Sequence, residues 1–92
     1  MDVRWSPQAM RDANRIFIYI ANENHYAAQA VFRAMHATAL SLSRYPWRYR
    51  DRGGGYRRIP VAHYDYCILY RIRRADDGPF VSIESVRHVA RR

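Results

Sequence analysis

Tyr64-Asp65-Tyr66-Cys67-Ile68-Leu69-Tyr70-Arg71-Ile72-Arg73 is the stretch that decides the fold. Alternate residues of a strand point to opposite sides of a sheet, so Tyr64, Tyr66, Ile68, Tyr70 and Ile72 share one face. Asp65, Cys67, Leu69, Arg71 and Arg73 share the other. This is the clearest strand in the chain. Downstream, Asp76-Asp77-Gly78-Pro79 reads as a turn, and Phe80 to Val86 returns as a partner strand. Upstream, Tyr56 to Val61 reads as another strand, with Pro60 confining it to an edge or an end. Before it lies Tyr45-Pro46-Trp47-Arg48-Tyr49-Arg50-Asp51-Arg52-Gly53-Gly54-Gly55, an aromatic, arginine-rich loop. No Gly-Lys-Ser/Thr follows the glycines and no strand precedes them, which excludes a P-loop. The three glycines predict a mobile connection.

The N-terminal half has a different period. Val3-Arg4-Trp5 reads as a short strand, and Ser6-Pro7 as an N-cap with proline at the first helical position. Met10, Ala13, Phe17 and Ile20 follow at spacings of three and four, which predicts one buried helical stripe. Asn22-Glu23-Asn24 interrupts it, and Asn24 can cap a second helix. There Ala28, Val31, Met35 and Leu42 form the apolar face, with Thr38 or Ala39 filling the gap. Such stripes are core, and Met35 and Phe17 are expected to be buried. Two helices joined this closely should form an antiparallel hairpin. The order β-α-α-β-β-β then predicts an α+β domain over residues 1–92, its helical hairpin packed on one face of a small, mostly antiparallel sheet.

Composition narrows the function. The chain has 92 residues, one domain by size, and a formal net charge of +8 at pH 7. All 16 of its basic residues are arginine. Residues 1–43 hold four arginines and three acids, for +1, while residues 44–92 hold twelve arginines and five acids, for +7. A field this lopsided draws anionic partners: nucleic acid, an acidic protein segment or an anionic membrane face. The longest apolar stretch, around Ile16 to Ala21, is too short to span a bilayer. The start, Met1-Asp2-Val3-Arg4, lacks the features of a signal peptide, so a cytoplasmic protein is expected. A single cysteine, Cys67, excludes a disulfide framework and a cysteine-rich zinc site.

Few residues suit catalysis. His25 and His36 would lie about 16 Å apart on one helix, and no ligand set completes a metal site around His63 or His88. No metal or other cofactor is therefore expected. The serines have no adjacent base, and the acids fall mostly in turns and on helix surfaces. Metal-free RNA cleavage needs a base, an acid and cations on the phosphate, and Arg57, Arg58, Arg71, Arg87, Arg91, His88 and the tyrosines are of the right types. Any arginine-rich binding surface would supply the same residues. Arg71 and Arg73 project from one face of the central strand, Arg57 or Arg58 can join them from the neighbouring strand, and Arg91 and Arg92 extend the cationic surface. Arg11 and Arg15, on the first helix, are expected to stand apart from it. A basic nucleic-acid-binding module is a further alternative, with Tyr45, Trp47, Tyr49 and Tyr56 stacking bases between arginines.

Six short pieces, in order over nearly the whole chain, resemble the RelE/ParE superfamily of small type II toxins. Trp5-Ser6-Pro7-Gln8-Ala9 is similar to its strand-to-helix start, and Ile18-Tyr19-Ile20-Ala21 with Asn24 and Ala27-Ala28 to its helix junction. Leu42 with Pro46 resembles the end of its second helix. Arg58-Ile59-Pro60-Val61 and Ile68-Leu69-Tyr70-Arg71-Ile72 resemble its strands, and Val86-Arg87-His88-Val89-Ala90-Arg91-Arg92 its ending. In the RelE branch, whose members are ribosome-dependent mRNA endonucleases, a catalytic arginine follows the tyrosine of the central strand. Here Cys67 follows Tyr66, and no tyrosine occurs after Tyr70. The chain thus looks more like the ParE branch. That resemblance implies a growth-inhibiting toxin acting by binding, with DNA gyrase as its target. It also implies a hetero-oligomer with a cognate antitoxin, whose acidic, partly disordered tail would meet Arg57, Arg58, Arg71, Arg73, His88, Arg91 and Arg92. If the chain is instead a RelE-like nuclease, Arg58, Arg71 and His88 are its expected catalytic residues.

Overall fold

The computed structural model describes residues 1–89. The elements are β1 (Asp2–Trp5), α1 (Pro7–Ala21), α2 (His25–Ser41), β2 (Arg57–Pro60), β3 (Tyr66–Ala75) and β4 (Gly78–His88). They form an α+β fold with one four-stranded sheet in the order β1-β4-β3-β2. The β2–β3 and β3–β4 pairs are antiparallel, and β1 runs parallel to β4. The helices cover one face of this sheet, with Ala9 and Ala13 of α1 and Val31, Met35 and Ala39 of α2 packing on Ile59, Ile68, Tyr70, Val81, Ile83 and Val86.

Both helix starts follow from their caps. The Ser6 hydroxyl accepts from the Ala9 N–H at 3.0 Å, and the Asn24 side-chain oxygen accepts from the Ala27 N–H at 3.0 Å. Ser6 also ties α1 to the sheet: its N–H donates to the Ile83 carbonyl and its hydroxyl to the Glu84 carbonyl.

The stripe of α1 differs from the expected one. Met10 is 54% exposed and Phe17 only half-buried, while Ala9 and Ala13 are the buried positions, with Ile16 and Ile20 partly so. Asp12 explains the rotation. Its side chain is nearly buried, and one carboxylate oxygen accepts from the Val86 N–H of β4 at 3.0 Å. The other accepts from the Gln8 amide at 2.7 Å, with the Arg15 guanidinium 3.6 Å away. A carboxylate that satisfies a buried sheet N–H belongs inward, so the stripe turns toward it. Two alanines beside it let the helix lie close to the strand. In α2 Met35 is fully buried as expected, and Ala39, rather than Thr38, fills the gap.

One irregularity positions everything that follows. Leu69 pairs with Ser85 but Tyr70 pairs with Ile83, so Glu84 is an extra residue in β4. This β-bulge reverses the alternation of the strand. Before it, Val81 and Ile83 face the helices; after it, Val86 does.

The segment between α2 and β2 is also more ordered than its glycines predict. Asp51 Oδ1 accepts from the N–H groups of Gly53 and Gly55, and the Arg52 N–H donates to the Tyr56 carbonyl. The buried Tyr70 hydroxyl donates to the Pro46 carbonyl at 3.1 Å, and the Arg57 guanidinium to the Tyr49 carbonyl. Gly53, Gly54 and Gly55 all have positive φ (121°, 61° and 83°), so here glycine serves a fixed turn that other residues rarely adopt.

Candidate functional site

Among the described residues no helix covers the other face of the sheet. Register places Arg58 of β2 beside Leu69, Arg71 beside Ser82, Arg73 beside Phe80, and Cys67 beside Arg87. Arg4 of β1 joins this face opposite Ser82. The sheet thus gathers five arginines and the carboxylates of Asp2 and Glu84 on one side.

These charges are only partly matched. Arg73 donates to Glu84 at 2.8 Å, and the Ser82 hydroxyl donates to the other carboxylate oxygen at 2.7 Å. Burial works against the charge on Glu84. The Ser82 and Arg73 hydrogen bonds and the attraction of Arg73 and Arg71 outweigh it, and they hold the Glu84 carboxyl below the usual range. The same hydrogen bond first, then the attraction of Glu84, keeps Arg73 more firmly protonated. Arg4 reaches Asp77 at 3.1 Å and Asp2 at 3.4 Å. Among the described residues Arg58, Arg71 and Arg87 have no direct ion pair. Arg58 donates to the Cys67 sulfur at 3.2 Å, and Arg71 lies over the Tyr56 ring at 4.9 Å with its Nη1 3.4 Å from the Tyr56 hydroxyl. The Arg71 Nε is buried and has no acceptor, alone in this among the described side chains. A buried donor in that state lacks about 1–3 kcal/mol of hydrogen-bond compensation, more when it carries charge.

Beside these arginines runs an open groove of about 680 Å³, lined by Ser6, Pro7, Gln8, Arg11, Tyr56, Leu69, Glu84, Ser85 and Arg87. Arg11 therefore does not stand apart. The two bonds from Ser6 to the bulge carbonyls hold the first turns of α1 alongside the open face, and Arg11 comes with them. Arg15 instead sits by Asp12 on the helix side.

Of the residues singled out in the sequence, the structure brings Arg58, Arg71 and Arg73 together. Arg57 is not with them: it pairs with Tyr70, on the opposite face, where its guanidinium lies 5.1 Å from the Trp47 ring. His88 is also on the opposite face. It pairs with Tyr66, its ring edge-on to the tyrosine at 5.1 Å, in a pocket shared with Asp12, Arg15, Ile16, Tyr19 and Val86. The trio Arg58, Arg71 and His88 is thus not assembled, and the reason is the Glu84 bulge, which turns His88 away and Arg87 in. Arg91 and Arg92 lie outside the described residues. Arg87 and Arg11 were not in the expected surface. The signal that could find Arg87 is the bulge, which is visible only once β4 is paired with β3. Among the described residues no cluster of three or more His, Cys, Asp or Glu could hold a metal ion, and no helix is long and apolar enough to cross a membrane.

Solved structures share this architecture. The chromosomal ParDE toxin–antitoxin system from P. aeruginosa matches 97% of this chain and 96% of its own with a TM-score of 0.83 at 14% identity. The YoeB/ParE toxin from Agrobacterium tumefaciens matches 96% and 98% with a TM-score of 0.62 at 10% identity. At these identities the likeness is one of fold. The toxin–antitoxin complex RelBE2 from Mycobacterium tuberculosis is 26% identical, covering 95% of each chain, with a TM-score of 0.60. No curated protein sequence matches the chain. A family model described as the ParE toxin of the type II toxin–antitoxin system parDE matches residues 3–92, and the chain belongs to that family.

Proposed function

We propose that this toxin inhibits an essential bacterial process by binding, with DNA gyrase as the target its family suggests, and that a cognate antitoxin neutralises it by laying an acidic, partly disordered tail across the open face of the sheet. The observation that carries the second part is the Arg71 Nε, a buried donor without an acceptor, on the same face as Arg58 and Arg87, which also lack carboxylates. Guanidinium groups take carboxylates in a two-pronged geometry, so an acidic segment supplies what Arg58, Arg71 and Arg87 lack. A disordered tail can also follow the open groove past Arg11. Two of the similar structures, ParDE and RelBE2, are toxin–antitoxin assemblies, which supports a partner of this kind.

Titration calorimetry against the cognate antitoxin tests the docking surface. Arg71→Ala and Arg58→Ala should weaken binding by about 2–5 kcal/mol where the pair is desolvated, and Arg87→Ala and Arg11→Ala should chiefly slow association and reduce its salt dependence. Arg33→Ala, on α2, serves as the control. Equal affinities for all five variants would remove the open face from the interface. A supercoiling assay with purified gyrase tests the target separately.

The 26% identity to RelBE2 favours a second reading, a RelE-like ribosome-dependent endonuclease. It would have to work without His88 beside Arg58 and Arg71. Cuts in mRNA on translating ribosomes that vanish with Arg58→Ala would establish it.

A further inference from the structure

On the helix side of the sheet, beyond the reach of the helices, the segment 44–57 presents a second cationic surface. The segment carries Arg44, Arg48, Arg50, Arg52 and Arg57, of which Arg57 lines one cleft together with Arg74, and among the described residues none of the six pairs with a carboxylate. The only acid in the segment, Asp51, accepts from the Gly53 and Gly55 backbone. Trp47 is 61% exposed although the backbone around it is pinned by the bonds to Pro46 and Tyr49. The indole is thus held at the surface by a fixed backbone. Trp47 borders a cleft of about 280 Å³ shared with Asp51, Gly55, Arg57, Ile72, Arg74 and Pro79.

We propose that this cleft binds single-stranded nucleic acid, one base stacking on Trp47 while Arg57 and Arg74 meet the backbone phosphates. A flat aromatic surface set among guanidiniums suits a nucleotide, which uses both its base and its phosphate. An acidic peptide would use the arginines and leave the indole in water. Of the four aromatic residues that the sequence suggests for stacking, Tyr45 lines a separate cleft beside Leu40 and Ser43, Tyr49 packs against the core and Tyr56 faces Arg71 on the other side, so Trp47, with the Arg57 guanidinium 5.1 Å from its ring, is the platform of this cleft. Because the cleft and the groove lie on opposite faces, an occupied antitoxin face leaves it open.

Fluorescence anisotropy of the full chain with labelled oligothymidylate and oligouridylate of about twelve nucleotides tests it. Both should bind, and affinity should fall with salt, with a slope of about 0.7 for each phosphate neutralised. Trp47→Ala should weaken binding about tenfold or more, while Trp47→Phe retains most of it. Arg74→Ala should lower the salt slope, and Arg58→Ala should change nothing. Trp47→Ala should leave antitoxin affinity untouched, which separates this site from the open face. A preference between the two oligonucleotides assigns the site to DNA or to RNA. Three results overturn the proposal: no binding at physiological salt, equal losses for Trp47→Ala and Arg58→Ala, or a polyglutamate peptide bound as tightly with the same need for Trp47.

Discussion

On the helix side of the sheet, Ile68, Tyr70, Val81, Ile83 and Val86 are at most 5% exposed and carry no charge. On the other side the same two strands display Arg71, Arg73, Arg87 and Glu84, joined by Arg58 of β2. Simple alternation would not produce this division, because β4 would place Val86 and His88 with Phe80 and Ser82. The Glu84 bulge keeps both sides consistent. It returns Val86 to the core, delivers Arg87 to the cationic face, and leaves Glu84 where it can meet Arg73. One inserted residue thus serves packing and charge together, which is why bulges sit so often beside working surfaces.

The dry side gives the largest expected effect. Met35 is fully buried, and Met35→Ala should lower unfolding free energy by about 2–5 kcal/mol in urea titrations. Phe17→Ala should lose less, since its ring is half-exposed and rests against Phe32 at 5.5 Å and His25 at 5.9 Å. A change at Met35 within about 0.5 kcal/mol, as at a surface site, would break the contrast between the two sides.

Asp12 tests how the dry side tolerates a carboxylate. Asp12→Ala leaves the Val86 N–H buried without its acceptor and should cost about 1–3 kcal/mol. Hydrogen exchange at the Val86 amide should accelerate in step. Asp12→Asn retains a carbonyl acceptor and should recover much of the loss. If alanine and asparagine behave alike and the amide stays protected, α1 is held to β4 by packing alone.

Tyr70 reaches from the dry side to the loop that displays Trp47. Tyr70→Phe removes the donor to the Pro46 carbonyl and should cost about 1 kcal/mol. Burial also pushes the Tyr70 phenol above its ordinary value of 10.0, against the pull of Arg57. The unfolded chain therefore releases this proton first, and the stability Tyr70 supplies is lost as pH rises from about 10 through the folded value. In Tyr70→Phe the alkaline decline should be shallower. An unchanged alkaline limb would mean that the phenol is not confined in the folded protein.

The helices were legible because their signals are local. Ser6-Pro7 and Asn24 act within one turn, and the Ala28, Val31 and Met35 spacing needs no knowledge of the sheet. The α1 stripe misled because a charged side chain reads as outward, and only the Val86 N–H, for which Asp12 is the acceptor, explains why Asp12 points in. The faces of β3 were readable from alternation, as Ile68 and Tyr70 show. Those of β4 were not, since an extra residue is defined only against a partner strand. Arg57 and Arg58 are adjacent in sequence, and composition cannot say which joins Arg71; pairing with Tyr70 or with Leu69 decides it. The loop glycines signalled flexibility, yet Asp51 and Tyr70 give their turn a fixed form.

The smallest expected effect concerns the internal competitor on the charged side. Glu84 is held below its ordinary value of 4.5, so the folded state favours its ionised form. Its contribution to stability is present above that value and is lost as pH falls from about 4.5 through the lowered folded value. Glu84→Gln should flatten that part of the acid limb and lower stability at neutral pH by the same small amount. The same substitution releases Arg73 from its carboxylate and raises the unmatched arginines on the open face from three to four. On the proposed docking mode, an acidic antitoxin tail should then bind Glu84→Gln slightly tighter, with a steeper salt dependence. Calorimetry at two ionic strengths reads both quantities. Weaker binding, with the acid limb flattened as expected, would show that Glu84 positions Arg73 for the partner instead of competing with it.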